Sequence, residues 1–357
     1  MTDIALADIV LGIMWTGMTA YVVFGGADFG GGLWDLLAGG ARAGAAQRGL
    51  IEHVIGPVWE ANHVWLIFVI VVLWTTFSPV FAAVFSTMYL PLTGAAVGII
   101  LRGAGFAFRK AVDDLPLQRL FGATFAASSI ITPFFLGTVA GGIASGRVPL
   151  GNAQGDIVAS WINPTSVLGG ALAVLVCGYL AAVFLTADAA REGNGRLAEQ
   201  FRTRGLIVAT MAGLVAFGGI FVLRVDAPDL YEGLTGRAAP FVIVSAVAGL
   251  GAIALLLRRR FVAARVASSL AVAAVIWGWA VGQYPYMLVD VVTVSDAAAN
   301  EATLQAVLIS LVIGSLLLAP SLVYLYVLFQ RPAERGEDED VIPQLPTQTA
   351  DPRQRDV

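Results

Sequence analysis

Glu60 and His63 stand three residues apart in the segment Trp59-Glu60-Ala61-Asn62-His63-Val64-Trp65. On a helix that spacing puts both groups on one face. A carboxylate and an imidazole so placed can ligate a metal or handle a proton. Half of a di-iron carboxylate site has this Glu-x-x-His form, but such a site needs a second pair, and the chain has no other. Haem ligation by two histidines fails on a count, because the only other histidine, His53, is in the first loop and the membrane interior offers one. The single cysteine, Cys177, excludes a CxxC metal or haem-attachment motif and any intrachain disulfide. Hydrogen bonding and proton transfer remain, and an imidazole titrating near neutrality suits both.

Two further ionisable groups accompany this pair. Asp28 lies within Gly25-Gly26-Ala27-Asp28-Phe29-Gly30-Gly31-Gly32-Leu33-Trp34-Asp35, and Arg102 opens Arg102-Gly103-Ala104-Gly105-Phe106-Ala107-Phe108-Arg109. The setting of all four is apolar. Of 357 residues, 58% are hydrophobic and 13% charged, about half the charge of a soluble domain, so a single water-soluble globule is excluded. The balance of 21 basic against 25 acidic residues excludes a nucleic-acid binder relying on a net basic surface.

Charged residues divide the chain into eight uncharged stretches of 19 to 41 residues, each long enough to cross a bilayer core of about 30 Å as helix. The longest, between Glu60 and Arg102, must fold back, and Ser78-Pro79 marks the turn. The expectation is therefore an all-α integral membrane protein of nine transmembrane helices over residues 1–330. The spans fall at about 8–27, 57–77, 80–101, 119–142, 164–187, 205–223, 238–257, 263–283 and 304–329. The Pro-rich, charged tail 331–357, with Glu337-Asp338-Glu339-Asp340, is expected to be disordered. Continuous apolar runs without alternation fit a β-barrel poorly. Eighteen basic residues fall on one side and three (Arg147, Arg224, Arg237) on the other. The positive-inside rule then places the N-terminus outside and the C-terminus in the cytoplasm.

With that orientation Asp28, Glu60, His63 and Arg102 gather toward the cytoplasmic leaflet on three successive spans. An ionisable group at membrane depth costs about 2.5–3.5 kcal/mol on insertion scales, so each is a functional candidate. Arg102 would balance one carboxylate while another exchanges protons with the cytoplasm. The plainer reading makes Asp28 and Arg102 solvated or snorkelling helix ends. The glycines around Asp28 are expected to bend or break the helix as it leaves the bilayer; they lack the lysine of a phosphate loop. Gly94, Gly98, Gly169, Gly170 and Gly213 suit helix packing. Trp59, Trp65 and Trp74 either pack on a quinone or lipid or mark the interface.

These residues carry a resemblance. Asp28 in its glycine-rich stretch, the segment Gly56-Pro57-Val58-Trp59-Glu60-Ala61-Asn62 continuing to Val64-Trp65-Leu66, and Arg102 with Gly105-Phe106 and Phe108-Arg109 resemble subunit II of the cytochrome bd-type quinol oxidases. Thr132-Pro133-Phe134, Asn163-Pro164 and Tyr284-Pro285-Tyr286 are similar too, in the same order. The resemblance implies two four-helix bundles plus one peripheral helix, in a bacterial cytoplasmic membrane. It implies a haem-bearing subunit I as partner, with or without a small single-helix subunit, and a complex that oxidises quinol and reduces dioxygen to water. Haems b and d, or b alone, would sit on that partner and none on this chain. Glu60 and Asp28 would belong to a cytoplasmic proton pathway, with His63, where glutamate or glutamine is expected, as an added member. Arg102 and Trp65 would contact a bound quinone. A proton-coupled transporter and a purely structural scaffold are the alternatives. A transporter predicts a polar site at mid-membrane on broken helices, and a scaffold leaves Glu60 without a role.

Overall fold

The computed structural model describes residues 5–40, 43–55, 59–112 and 114–330. Gly56-Pro57-Val58 and the tail beyond residue 330 lie outside the described residues, and so does the side chain of Glu60. Two compact units are formed, Met1–Ile309 and Ser310–Val357. Long apolar runs leave the backbone no water to bond with at membrane depth, so they close their hydrogen bonds as helices. Among the described residues, eight helices are long and apolar enough to cross a membrane, and nine if one bent pair counts as a span.

The first span is composite: α1 (Leu6–Ala20), a π-helical turn (Tyr21–Gly25) and α2 (Gly26–Leu36). A short α3 (Ala45–Ile55) leads to α4 (Trp59–Thr76). The chain turns at Ser78-Pro79 as expected, but it then forms a ten-residue helix, α5 (Ser78–Thr87), bent 119° from α4. The following span, α6 (Tyr89–Ala111), thus begins at Tyr89 rather than near residue 80. The reason is local. Pro79 sits in the first turn, where its missing N–H costs nothing, and Val80, Ala83, Val84 and Thr87 give α5 a buried face of its own.

Then come α7 (Leu115–Ala144), α8 (Pro164–Arg191), α9 (Gly195–Asp226), α10 (Pro228–Thr235), α11 (Ala239–Leu257) and α12 (Phe261–Gln283). A small antiparallel hairpin of β1 (Tyr286–Leu288) and β2 (Val292–Thr293) precedes α13 (Val294–Ala297) and α14 (Glu301–Gln330). Asn163 starts α8 by accepting from the Ser166 N–H, and Asn194 starts α9 by accepting from Leu197.

Helix α2 packs against both α7 and α8, α6 against α7, and α8 against α9. The glycine run around Asp28 does not break the helix; α2 continues straight through it. Its glycines are there for proximity. A methyl group on Gly30 would overlap the Cys177 carbonyl of α8, and one on Gly32 would overlap the Ser129 side chain of α7. Gly94 and Gly98 of α6 likewise face Phe135 and Thr132 of α7, and Gly169 approaches the Gly137 carbonyl. Gly213 meets nothing within 4 Å, so it takes no part in packing among the described residues.

Because Gly30 opposes rigid backbone, Gly30→Ala should lower the stability of the detergent-solubilised protein by about 1–3 kcal/mol. Gly49→Ala, at an open site on α3, should leave it unchanged or slightly raised. Thermal unfolding of the two variants side by side measures the difference.

Candidate functional site

Asp28 lies eight residues before the end of α2, about 12 Å along the axis, and Arg102 lies nine before the end of α6, about 14 Å. Neither is a snorkelling end. The Arg102 side chain is 1% exposed and its Nη2 meets Asp28 Oδ1 at 2.7 Å. The same nitrogen donates to the Asp28 carbonyl at 3.2 Å, and Nε donates to Ser129 Oγ at 3.0 Å. Ser129 in turn donates to the Phe125 carbonyl at 2.6 Å. The guanidinium also lies 4.8 Å from the Phe29 ring centroid and 5.0 Å from that of Phe125, contacts that favour a desolvated cation. One arginine therefore ties α2, α6 and α7 together.

His63 sits beside this pair in an aromatic enclosure. Its ring centroid is 5.9 Å from Phe29, 6.2 Å from Trp59 and 6.5 Å from Tyr21. Trp65 packs on the cluster of Tyr21, Phe29 and Cys177. Four buried polar atoms here have no hydrogen-bond partner among the described residues: Tyr21 Oη, Asp28 Oδ2, Asn62 Oδ1 and His63 Nδ1. Buried polar atoms are almost always satisfied by protein or by ordered water, so these four call for water or for a partner beyond the described residues. Asn62 is anchored by its amide, which donates to the Phe24 carbonyl at 3.4 Å.

Toward the helix ends a second network surrounds Asp35. Arg109 Nη1 donates to both Asp35 oxygens at 3.2 Å, Arg48 Nε lies 3.7 Å away, and Arg109 also reaches Glu52 at 3.5 Å. These pairs hold α3 against α2 and α6. In the later helices, Asp188 of α8 pairs with Arg265 of α12 at 2.7 Å and with Arg191 at 3.2 Å.

Asp28 and Arg102 are thus joined directly, His63 and Trp65 flank them, and Glu60 occupies the first turn of α4 one turn before His63. The sequence reading missed the contributions of Ser129, Phe29 and Phe125 to the arginine site. It also missed the Asp188–Arg265 pair, whose signal was present: charges of opposite sign closing apolar stretches on two separate spans. Arg102 is enclosed, so a quinone head group reaches it only by displacing Asp28, Ser129 or a ring. His63 is half-buried, with three aromatic rings around its imidazole. Among the described residues no group of three or more His, Cys, Asp or Glu side chains converges as metal ligands.

Fold and site define a polytopic helical membrane protein built around a buried carboxylate–arginine pair. The family model "Cytochrome bd terminal oxidase subunit II" matches residues 6–329, and the chain belongs to that family. The Bacillus subtilis (strain 168) protein named cytochrome bd ubiquinol oxidase subunit 2 is 30% identical over 164 residues, 45% of this chain and 47% of that protein. Escherichia coli (strain K12) cytochrome bd-I ubiquinol oxidase subunit 2 is 24% identical over 138 residues, 39% of this chain and 35% of that protein. The chain thus aligns with half or less of the length of these two curated relatives. The structure of bd oxidase from Geobacillus thermodenitrificans holds a chain similar in fold, with a TM-score of 0.69 and 26% identity. That match covers 91% of this chain and 98% of the other.

Removing one member of a buried ion pair leaves the other charge stranded, at a cost of roughly 3–5 kcal/mol. Asp28→Asn and Arg102→Gln should each destabilise the protein by that order. The double variant should lose clearly less than the sum, as a thermal double-mutant cycle will measure.

Proposed function

We propose that this chain is the non-haem partner of a haem-bearing subunit I in a quinol-oxidising, dioxygen-reducing complex, and that it delivers cytoplasmic protons toward the reaction. The observation that carries the reading is the set of unpartnered buried polar atoms beside the Asp28–Arg102 pair. Reduction of dioxygen to water consumes protons, and drawing them from the cytoplasm stores energy across the membrane. A relay through an apolar core needs titratable side chains joined by water. Glu60 enters at the first turn of α4. His63 follows one turn deeper, where its unpartnered Nδ1 can accept a proton or a water hydrogen bond. Asp28, held by Arg102 through one oxygen, leaves its second oxygen for the same cluster. Arg102 acts as a positioning residue that orients Asp28 through its carboxylate and its carbonyl.

The haems would be carried by subunit I. The basic end of the helices would face the cytoplasm, with the N-terminus outside, in a bacterial cytoplasmic membrane. A quinone contact would fall on the Trp65 side of the cluster, since Arg102 is enclosed. Lipid and a small single-helix subunit would complete the assembly.

Purification through a tag on this chain should bring down b-type haem bands, with or without d-type bands, and quinol-dependent oxygen uptake. A stable haem-free protein alone would sink the assignment. In that complex Glu60→Gln should lower oxygen uptake at least tenfold with haem content unchanged; unaltered turnover would leave only a scaffold. For orientation, alkaline phosphatase fused after Gly193 should be inactive, and fused after Gly151 active, as colonies on a chromogenic phosphate substrate report.

A further inference from the structure

One buried polar side chain beside the Asp28–Arg102 pair has no task in the pathway proposed above. Tyr21 opens the π-helical turn, is 6% exposed, and its hydroxyl has no hydrogen-bond partner among the described residues. The ring packs with Phe29 and with Cys177 of α8. Its centroid lies 6.5 Å from that of Phe29 and 6.5 Å from that of His63 on α4. The charges of Asp28 and Arg102 act on Tyr21 and on His63 alike, so the four groups share one neighbourhood.

Local geometry aims the hydroxyl. Gly25 stands four residues after Tyr21, and a methyl group on it would come within 3.1 Å of Tyr21 Cε2 and 3.2 Å of Cδ2. The ring therefore lies along the following turn, beside the space that this glycine leaves open. Its tip is carried toward the turn that holds Asp28 and Phe29. Turns of the π type recur at functional sites.

The hydrogens then have to be counted. Asp28 Oδ2 and Asn62 Oδ1 are acceptors, the Asn62 amide already donating to the Phe24 carbonyl. His63 Nδ1 accepts when the neutral ring carries its hydrogen on Nε2. Tyr21 Oη both donates and accepts. It can take up a hydrogen on a lone pair while releasing the one it holds, so the phenol never carries a charge into the apolar interior, where charge is costly.

We propose that Tyr21 is a relay residue whose hydroxyl passes protons, through water, from His63 Nδ1 to Asp28 Oδ2. As a proton leaves the imidazolium, a new O–H bond forms at Tyr21, the old one breaks, and the released hydrogen ends on Asp28. His63 gives up its positive charge, Asp28 its negative charge, and the phenol is neutral before and after. The inference rests on the proposed pathway and adds a member to it.

The test uses the purified oxidase complex. Tyr21→Phe keeps the ring and removes only the hydroxyl. Oxygen uptake should fall about tenfold or more and its solvent deuterium isotope effect should rise, with haem content unchanged. The melting temperature should hold or climb, because the hydroxyl that is lost had no protein partner among the described residues. Wild-type turnover in Tyr21→Phe beside a slowed Glu60→Gln overturns the role of Tyr21 and leaves the pathway standing. Wild-type turnover in both variants overturns the pathway too. Slower turnover with an unchanged isotope effect marks a packing defect and also overturns the relay. Should Tyr21→Phe fail to assemble, a ring-difluorinated tyrosine at position 21 keeps the hydroxyl but ionises at lower pH. A relay that needs the neutral phenol should then lose activity at lower pH on the alkaline side of its profile, and an unmoved profile overturns the proposal.

Discussion

A buried arginine is tolerable only when its charge and its donors are all answered nearby, and that requirement organises the first half of this chain. Arg102 takes Asp28 from α2, Ser129 from α7 and two aromatic faces. To bring those groups within reach, α2 must lie so close to α7 that a Cβ at Gly32 would overlap the Ser129 side chain. Close approach to α8 at Gly30 follows from the same helix. The ion pair, the glycines and the helix order are thus one constraint seen at three levels: desolvation demands the pair, the pair demands proximity, and proximity demands glycine.

Charge satisfaction elsewhere follows the same rule in shallower positions. Asp35 collects Arg48 and Arg109, and Asp188 collects Arg191 and Arg265. On the opposite side Asp226 binds Arg147 at 2.5 Å and the Thr165 hydroxyl at 2.6 Å, joining the ends of α7, α8 and α9. Each of these carboxylates ties together helices distant in sequence. The pair at Asp28 differs because both of its side chains are almost wholly buried.

Much of this was legible before any coordinates. Uncharged stretches of membrane-crossing length announced a helical membrane protein, and the scarcity of ionisable groups at depth made Asp28, Glu60, His63 and Arg102 stand out. Their pairing was less legible, because a charge near the end of an apolar run reads equally as a solvated terminus. The difference lies in the helix overrun: α2 and α6 extend well past the last apolar residue of the run, so both charges sink inside. The glycine run misled for a related reason. Glycine weakens an isolated helix, but in a bundle the gain from close packing outweighs that weakness. Helix α5 was invisible because hydropathy does not distinguish a span from a short apolar helix lying across its end.

The π-helical turn at Tyr21–Gly25 gives the first span an unusual division of labour. One surplus residue in a helical turn rotates everything beyond it by about 100° relative to an unbroken helix. Helix α1 can therefore present its buried residues Ala7, Val10, Met14 and Gly17 to one set of neighbours, chiefly α4, while α2 presents Asp28 and its glycines to α7 and α8. The span works as two keys cut at different angles on one shaft. In the history of such a chain, a single-residue deletion within that turn would be no neutral drift: it would turn the second key out of its lock and leave the arginine without its counter-ion.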